Sequence, residues 1–163
     1  MAMKNDPCIQ GLKEKLERDG LSVEPLLRAV CRCMAEELLE RGSVCLRGLG
    51  CFEVAEYPPV PAGGQLLPPA RRLRFHTRPV NDDKLSILVS CRAGVSPAQA
   101  RNFMKVLGGC LEKAVRSSRE LRIRGIGAFC EQEGRYIFVP DDSFEELLNA
   151  ATLHLTAIDI EGR

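Results

Sequence analysis

A short sequence pattern occurs twice in this chain, and repetition of this kind constrains a fold more strongly than any single residue. Residues 44–52 read Val-Cys-Leu-Arg-Gly-Leu-Gly-Cys-Phe, and residues 121–129 read Leu-Arg-Ile-Arg-Gly-Ile-Gly-Ala-Phe. Each copy follows a segment with helical periodicity and leads into a segment with the alternation of a strand. The sequence therefore predicts that one structural unit of roughly 75 to 80 residues is present twice.

Each unit is predicted to contain two helices, three strands and a closing helix. In the first copy, apolar residues recur at helical spacing over residues 7–19 and 22–41. In the second copy, Ser96 provides an N-cap and Pro97 a first helical residue. Residues 81–92 are too few for two helices. The closing helix of the first copy and the opening helix of the second are therefore expected to be one shared element.

Composition is typical of a folded protein, with 45% apolar residues, 28% charged residues and a net charge of +1. Each half of the chain has nearly equal numbers of basic and acidic residues. A strongly basic coat for nucleic acid is absent, so an anion site depends on where the arginines lie. No window approaches 18 apolar residues, and the N-terminal residues lack the apolar core of a signal peptide. We expect a cytoplasmic protein without membrane association.

Eight cysteines raise the question of a metal site or a disulfide framework. No Cys-x-x-Cys motif occurs; the closest pairs are Cys31 with Cys33 and Cys45 with Cys51, and only two histidines could supplement them. Buried free thiols in a reducing compartment are the preferred interpretation. A metal or redox role is the alternative.

The sequence contains no pattern that predicts catalysis or a cofactor. The Gly-x-Gly turns open no helix and lack the downstream pattern of a nucleotide-binding loop. The acidic pairs at residues 82–83 and 141–142 begin helices, where carboxylates interact favourably with the helix dipole. We expect a noncatalytic protein without cofactor or metal.

Two helices, then a Gly-apolar-Gly-x-Phe strand turn, then Phe-x-Pro-like residues before a last helix resemble the bacterial HU and integration host factor proteins. In that family the turn reads Gly-Phe-Gly-Thr-Phe, and here it reads Gly-Leu-Gly-Cys-Phe and Gly-Ile-Gly-Ala-Phe. The resemblance implies an α+β fold of two tandem HU-like units, residues 1–85 and 86–163, that pair as an intrachain pseudo-dimer. It also implies binding to the minor groove and backbone of double-stranded DNA in the nucleoid.

The first copy departs from the family by an arm-sized insertion at residues 55–72, which holds five of the ten prolines. Paired glycines at residues 63–64 can turn a hairpin at its tip. Val60, Pro61 and Leu66 are candidate wedges between base pairs. The usual Arg-Asn-Pro tip is missing. The insertion is therefore either a DNA-clasping arm or a proline-rich loop packed on its own body or on another protein, and the second copy has no arm.

Arginines on the strands form the candidate DNA-binding set. Arg122 and Arg124 alternate with apolar residues, so we expect both on the sheet face opposite the core. If the family's saddle carries over, the phosphate-contacting and wedge residues are Arg47, Arg71, Arg72, Arg74, Arg122, Arg124, Arg135 and Pro61. The alternative is an ordinary solvated strand face with cross-strand pairs to Glu53 or Glu131.

Two functions are consistent with these patterns. The first is sequence-tolerant DNA binding or bending by a noncatalytic, nucleoid-associated protein of the HU type. The second is an HU-like fold used for protein assembly. The near-zero net charge and the missing second arm favour assembly, in which the proline-rich insertion would contact a protein partner.

Overall fold

The computed structural model describes residues 7–150 and 158–159, which form an α+β arrangement of five helices and nine strands. The helices are α1 (Pro7–Glu17), α2 (Val23–Arg41), α3 (Lys84–Ala93), α4 (Pro97–Arg116) and α5 (Asp142–Leu148). The strands are β1 (Ser43–Leu46), β2 (Gly50–Tyr57), β3 (Val60–Ala62), β4 (Gln65–Leu67), β5 (Ala70–His76), β6 (Leu121–Ile123), β7 (Gly127–Gln132), β8 (Arg135–Pro140) and β9 (Ile158–Asp159). In the described part of the chain, no helix combines the length and apolarity needed to cross a bilayer.

The strands form three antiparallel sheets, ordered β1-β2-β5, β6-β7-β8 and β3-β4-β9. The first two sheets follow the predicted order of elements in each copy, and one helix, α3, occupies the region where a shared element was expected. This helix packs against both α2 and α4. The boundary expected after Leu85 therefore falls inside α3, which contacts a helix of each copy.

Local chemistry accounts for the helix ends. The Ser96 hydroxyl accepts a hydrogen bond from the Gln99 N–H at 3.1 Å, and the Gln99 side chain accepts one from the Ser96 N–H at 3.0 Å. This capping box satisfies two of the backbone donors that a helix start leaves without partners. Gly42 ends α2 in the left-handed conformation, at a φ of +79°. Ser22 lies at the N-cap of α2 as predicted, but its side chain makes no capping hydrogen bond.

Strand register directs the apolar residues of the two larger sheets toward the helices. Phe52 lies opposite Phe75 across β2 and β5, and Phe129 lies opposite Phe138 across β7 and β8. Helices and both sheets contribute to one contiguous cluster of buried residues. The two copies consequently share a single core.

Four phenylalanine rings join the two sheets: Phe52 and Phe129 are buried in the core, and Phe75 and Phe138 are partly buried and pack against it. Between copies, the ring centroids of Phe52 and Phe138 lie 5.1 Å apart, and those of Phe75 and Phe129 lie 4.8 Å apart. Within copies, the Phe52–Phe75 and Phe129–Phe138 distances are 5.1 Å and 5.0 Å. The two distances between copies are nearly equal, and so are the two distances within copies.

The turn between β1 and β2 makes a close backbone contact with α4. A Cβ added to Gly48 would lie 2.0 Å from the Gly108 carbonyl oxygen, and Gly48 has a φ of +86°. The matching turn of the second copy is open. A Cβ on Gly125, with a φ of +80°, would meet no atom of the described residues within 4 Å. Equivalent turns in the two copies therefore have different surroundings.

The Asn149 side chain, near the end of the second copy, forms hydrogen bonds with the backbone of β5 in the first copy. Its Oδ1 accepts a hydrogen bond from the Arg71 N–H at 2.7 Å, and its Nδ2 donates to the Arg71 carbonyl at 2.9 Å. The same Nδ2 donates to the Glu145 carbonyl in α5 at 2.7 Å. One amide side chain thereby joins α5 to the backbone of β5.

Cys45 and Cys51 form a disulfide, with Cα atoms 4.1 Å apart. The prediction of free thiols is wrong for this pair, because the register of β1 and β2 places the two residues directly opposite each other. Cys33 and Cys91 carry free thiols, and burial raises the pKa of the Cys33 thiol.

The close contact at Gly48 predicts unequal effects of the same substitution in the two turns. Gly125→Ala should cost about 1–2 kcal/mol, because alanine is strained at positive φ. Gly48→Ala carries the same strain and also forces its Cβ against the α4 backbone, so its cost should be larger by at least about 2 kcal/mol. Urea unfolding of both variants measures the difference. Equal losses would show that the turn does not depend on α4.

Candidate nucleic-acid interface

The outward face of β2 and β5 carries two of the predicted arginines. Arg72 lies opposite Ala55 and Arg74 lies opposite Glu53. Both arginines alternate with Leu73, which is buried in the core, so their side chains lie on the opposite face. Arg72 and Arg74 are exposed.

Tyr57 lies on the same outward face and contacts the side chains of both arginines. The guanidinium carbons of Arg72 and Arg74 lie 6.0 Å and 5.2 Å from the centroid of its ring, and Arg74 also donates a hydrogen bond to its hydroxyl oxygen. Cation–π contacts at exposed sites contribute about 0.5–1 kcal/mol. Sequence reasoning missed Tyr57, although its even spacing from Glu53 along one strand places it on the face of the arginines.

Arg71 does not belong to this face. Because strand residues alternate, its side chain lies on the other side of β5, where it forms an ion pair with Glu56 at 3.1 Å. The carboxylate on the outward face is Glu53, which contacts the His76 ring at 3.1 Å. The expected cross-strand pair to Glu53 therefore involves His76 rather than an arginine.

The second sheet contributes two further arginines to strand positions. Arg122 in β6 lies opposite Ala128, and it forms an ion pair with Asp141 at 3.6 Å while remaining half exposed. Arg135 lies opposite Gln132 at the start of β8 and is exposed.

Two predicted arginines lie in turns rather than on strands. β6 ends at Ile123, so Arg124 begins the following turn and does not share the strand face of Arg122, as had been expected. Arg47 lies in the equivalent turn after β1. The prediction for Arg124 extended the strand alternation one residue beyond the end of β6. The glycine that follows each arginine turns the chain out of the strand.

The insertion of the first copy forms the predicted hairpin arm. Its turn lies at Gly63 and Gly64, with φ angles of +55° and +79°, and Pro61 lies exposed in β3 opposite Leu66. No residue between Tyr57 and Ala70 is charged. The arm therefore offers a surface without ionic groups for phosphate.

Paired prolines divide this arm from the sheet below it. The prolines at residues 58–59 separate β2 from β3, and those at residues 68–69 separate β4 from β5. They therefore lie between the Tyr57–Ala70 pair and the Val60–Leu67 pair. Proline has no backbone donor, so the ladder is interrupted at this level. Beyond it, β4 also pairs with β9, a contact that the sequence did not indicate. The arm is thus a hairpin whose strand β4 also pairs with residues 158–159.

A carboxyl group lies near the arginines of the first sheet. Partial burial raises the pKa of Glu145 in α5, the nearby Arg72 guanidinium offsets part of that effect, and Asp142 adds to it. In the described residues, no three His, Cys, Asp or Glu side chains converge in a manner that would hold a metal ion. No protein-family model matches the chain, and no curated protein is significantly similar to it in sequence.

The raised pKa of Glu145 predicts a stability effect that depends on pH. A carboxyl with a higher pKa in the folded state destabilises the fold once the pH exceeds that pKa. Glu145→Gln should therefore be more stable than the wild type at pH 7, and the difference should shrink as the pH falls and disappear near about pH 3, well below the ordinary Glu pKa of about 4.3, where the wild-type group is protonated in both states. Urea unfolding at both pH values measures this, and a glutamine variant that is less stable at pH 7 would contradict it.

Proposed function

We propose that this protein is a noncatalytic, sequence-tolerant double-stranded DNA-binding protein built as an intrachain pseudo-dimer of two HU-like units. The observation that carries the proposal is the charge of the outward strand faces. In the sheets β1-β2-β5 and β6-β7-β8, the strands place Arg72, Arg74, Arg122 and Arg135 on these faces against one strand carboxylate among the described residues, Glu53. Two carboxylates from outside the strands, Asp141 and Glu145, lie near Arg122 and Arg72 respectively. A chain of net charge +1 thus concentrates cations on these faces.

Small side chains separate these arginines. Ala55 and Ala70 lie on the same face of the first sheet as Arg72 and Arg74, and Ala128 lies opposite Arg122 in the second. Guanidinium groups that contact phosphates release bound counterions, and such contacts fix a duplex in place without reading its sequence. Sequence tolerance follows from this mode of binding.

The arm supplies an apolar contact rather than charge. Val60 is 47% exposed and Leu67 is 38% exposed, and they face each other at the end of the β3–β4 ladder that lies farthest from the turn, beside the exposed Pro61. Apolar side chains inserted from the minor groove unstack a base step and bend the duplex, and the cost is a few kcal/mol per step. One arm in each molecule gives one kink, without encirclement of the DNA.

The pairing of the two units within one chain rests on the phenylalanine cluster. Phe52 and Phe75 of the first copy each lie within 6.2 Å of Phe129 and Phe138 of the second, measured between ring centroids. Covalent linkage gives each half a high effective concentration of the other. The pseudo-dimer then forms without a second molecule.

A second candidate function is protein assembly, and the arm is the observation that favours it. Its uncharged surface, with Val60 and Leu67 exposed, suits an apolar protein partner as well as a base step. In this role the arginines of the strand faces would be ordinary solvated residues.

Salt-dependent binding to a short duplex tests the DNA proposal. Arg72→Ala with Arg74→Ala should lower the slope of log affinity against log salt by about 2, because two phosphate contacts are lost. The control is Arg28→Ala with Arg32→Ala, which removes the same charge from exposed positions of α2. That control should change the slope much less.

Fluorescence anisotropy with a labelled duplex of arbitrary sequence provides the measurement. Equal slopes for the two double variants would remove the strand faces from the interface. If the wild-type protein does not bind the duplex even at low salt, the DNA proposal is wrong and assembly becomes the better account.

A further inference from the structure

The disulfide between Cys45 and Cys51 has two sulfur atoms in different surroundings. Cys51 is buried at 6% exposure, whereas Cys45 is partly exposed. A thiol from solution therefore reaches Cys45 more readily than Cys51. Access is one of the factors that decide which sulfur of a disulfide is attacked.

One guanidinium group lies against both sulfur atoms. The Nε of Arg78 donates to the Cys51 Sγ at 3.0 Å, and its Nη2 donates to the Cys45 Sγ at 3.5 Å. A disulfide sulfur is a weak acceptor, whereas a thiolate is a charged acceptor that forms a stronger hydrogen bond. Arg78 is therefore placed to stabilise the reduced form of Cys51 more than the oxidised form.

Lys84, which lines the cavity beside the disulfide together with Arg78, pairs with a carboxylate. A cavity of about 160 Å³ is lined by Cys45, Arg78, Glu37, Asp82 and Lys84, among others. The Lys84 ammonium lies 3.3 Å from the Glu37 carboxylate. Arg78 is therefore the cation that acts on the sulfurs.

We propose that this disulfide is a site of reversible thiol–disulfide exchange with low-molecular-weight thiols. The thiolate of the incoming molecule attacks the Cys45 Sγ, a new S–S bond forms there, and the Cys45–Cys51 bond breaks. The electron pair of the broken bond stays on the Cys51 Sγ, which becomes a thiolate beside Arg78. In the reverse step, the Cys51 thiolate attacks Cys45, expels the small thiol and restores the original disulfide.

Thiol–disulfide exchange at Cys45 and Cys51 would affect the turn between β1 and β2. Cys45 and Cys51 flank the turn whose Gly48 contacts Gly108 of α4, so the disulfide closes the hairpin at the point where the first copy meets that helix. The second copy has Arg122 and Ala128 at the equivalent positions. Exchange therefore releases a crosslink at the turn of the first copy and has no counterpart at the turn of the second.

The experiment uses full-length protein purified without reductant and treated with reduced glutathione. Samples are quenched with acid, alkylated and mapped by peptide mass spectrometry. The first mixed disulfide should be on Cys45. Arg78→Gln should slow its formation about tenfold, because the leaving thiolate loses its charged partner. Arg78→Lys should retain more of the rate. Arg28→Gln, which removes a guanidinium from an exposed position of α2, should leave the rate unchanged.

The same reaction in urea separates this local effect from general loss of structure. In the unfolded chain Arg78→Gln should react as fast as the wild type, and glutathione should appear on both cysteines. The proposal would be overturned by native protein modified first on Cys51, by Arg78→Gln reacting as fast as Arg28→Gln, or by the absence of a Cys45–Cys51 disulfide from the purified protein. A folded Arg78→Gln variant that reacts faster than the wild type would do so as well.

Discussion

Contacts among four phenylalanine rings hold the two halves of this chain together. Phe52 and Phe75 come from the first sheet and Phe129 and Phe138 from the second, and every ring lies within 6.2 Å of the others, centroid to centroid. Each such pair contributes about 0.5–1.5 kcal/mol beyond the burial of its area. A three-stranded sheet with two helices buries little apolar surface alone, and sharing these rings gives both copies one core.

A shared core leaves the outward faces free to differ, and the two copies differ in an arm, a disulfide and the surroundings of one turn. The first has the hairpin arm, the disulfide and a turn held against α4 by the Gly48 contact. The second has a short hairpin and an open turn at Gly125. In the proposed function, both contribute arginines to phosphate contacts, while only the first contributes an apolar wedge. The proposed binding surface is therefore asymmetric, although one core joins the two copies.

Local signals in the sequence predicted the elements well. Ser96 with Pro97 predicted the start of α4, and the glycines at residues 63–64 predicted the hairpin turn. Residues 81–92 are too few for two helices, which predicted the single helix α3. Features set by partners distant in the sequence were missed: Asn149 on the backbone of Arg71, and β9 on the arm. Periodicity also could not show where β6 ends, so Arg124 was placed on a strand. The arginine face was recovered only in part, because register decides the side on which Arg71 and Arg72 lie.

Hydrogen exchange of the two larger sheets tests most directly whether one chain contains one shared core. Amides of β2 and β7 should exchange with the same opening free energy, equal to that of global unfolding, because loss of either sheet exposes the phenylalanines of the other. The values should not change with protein concentration, since the pairing is within the chain. An opening free energy for β7 well below that for β2, or protection of both that rises with concentration, would contradict the account.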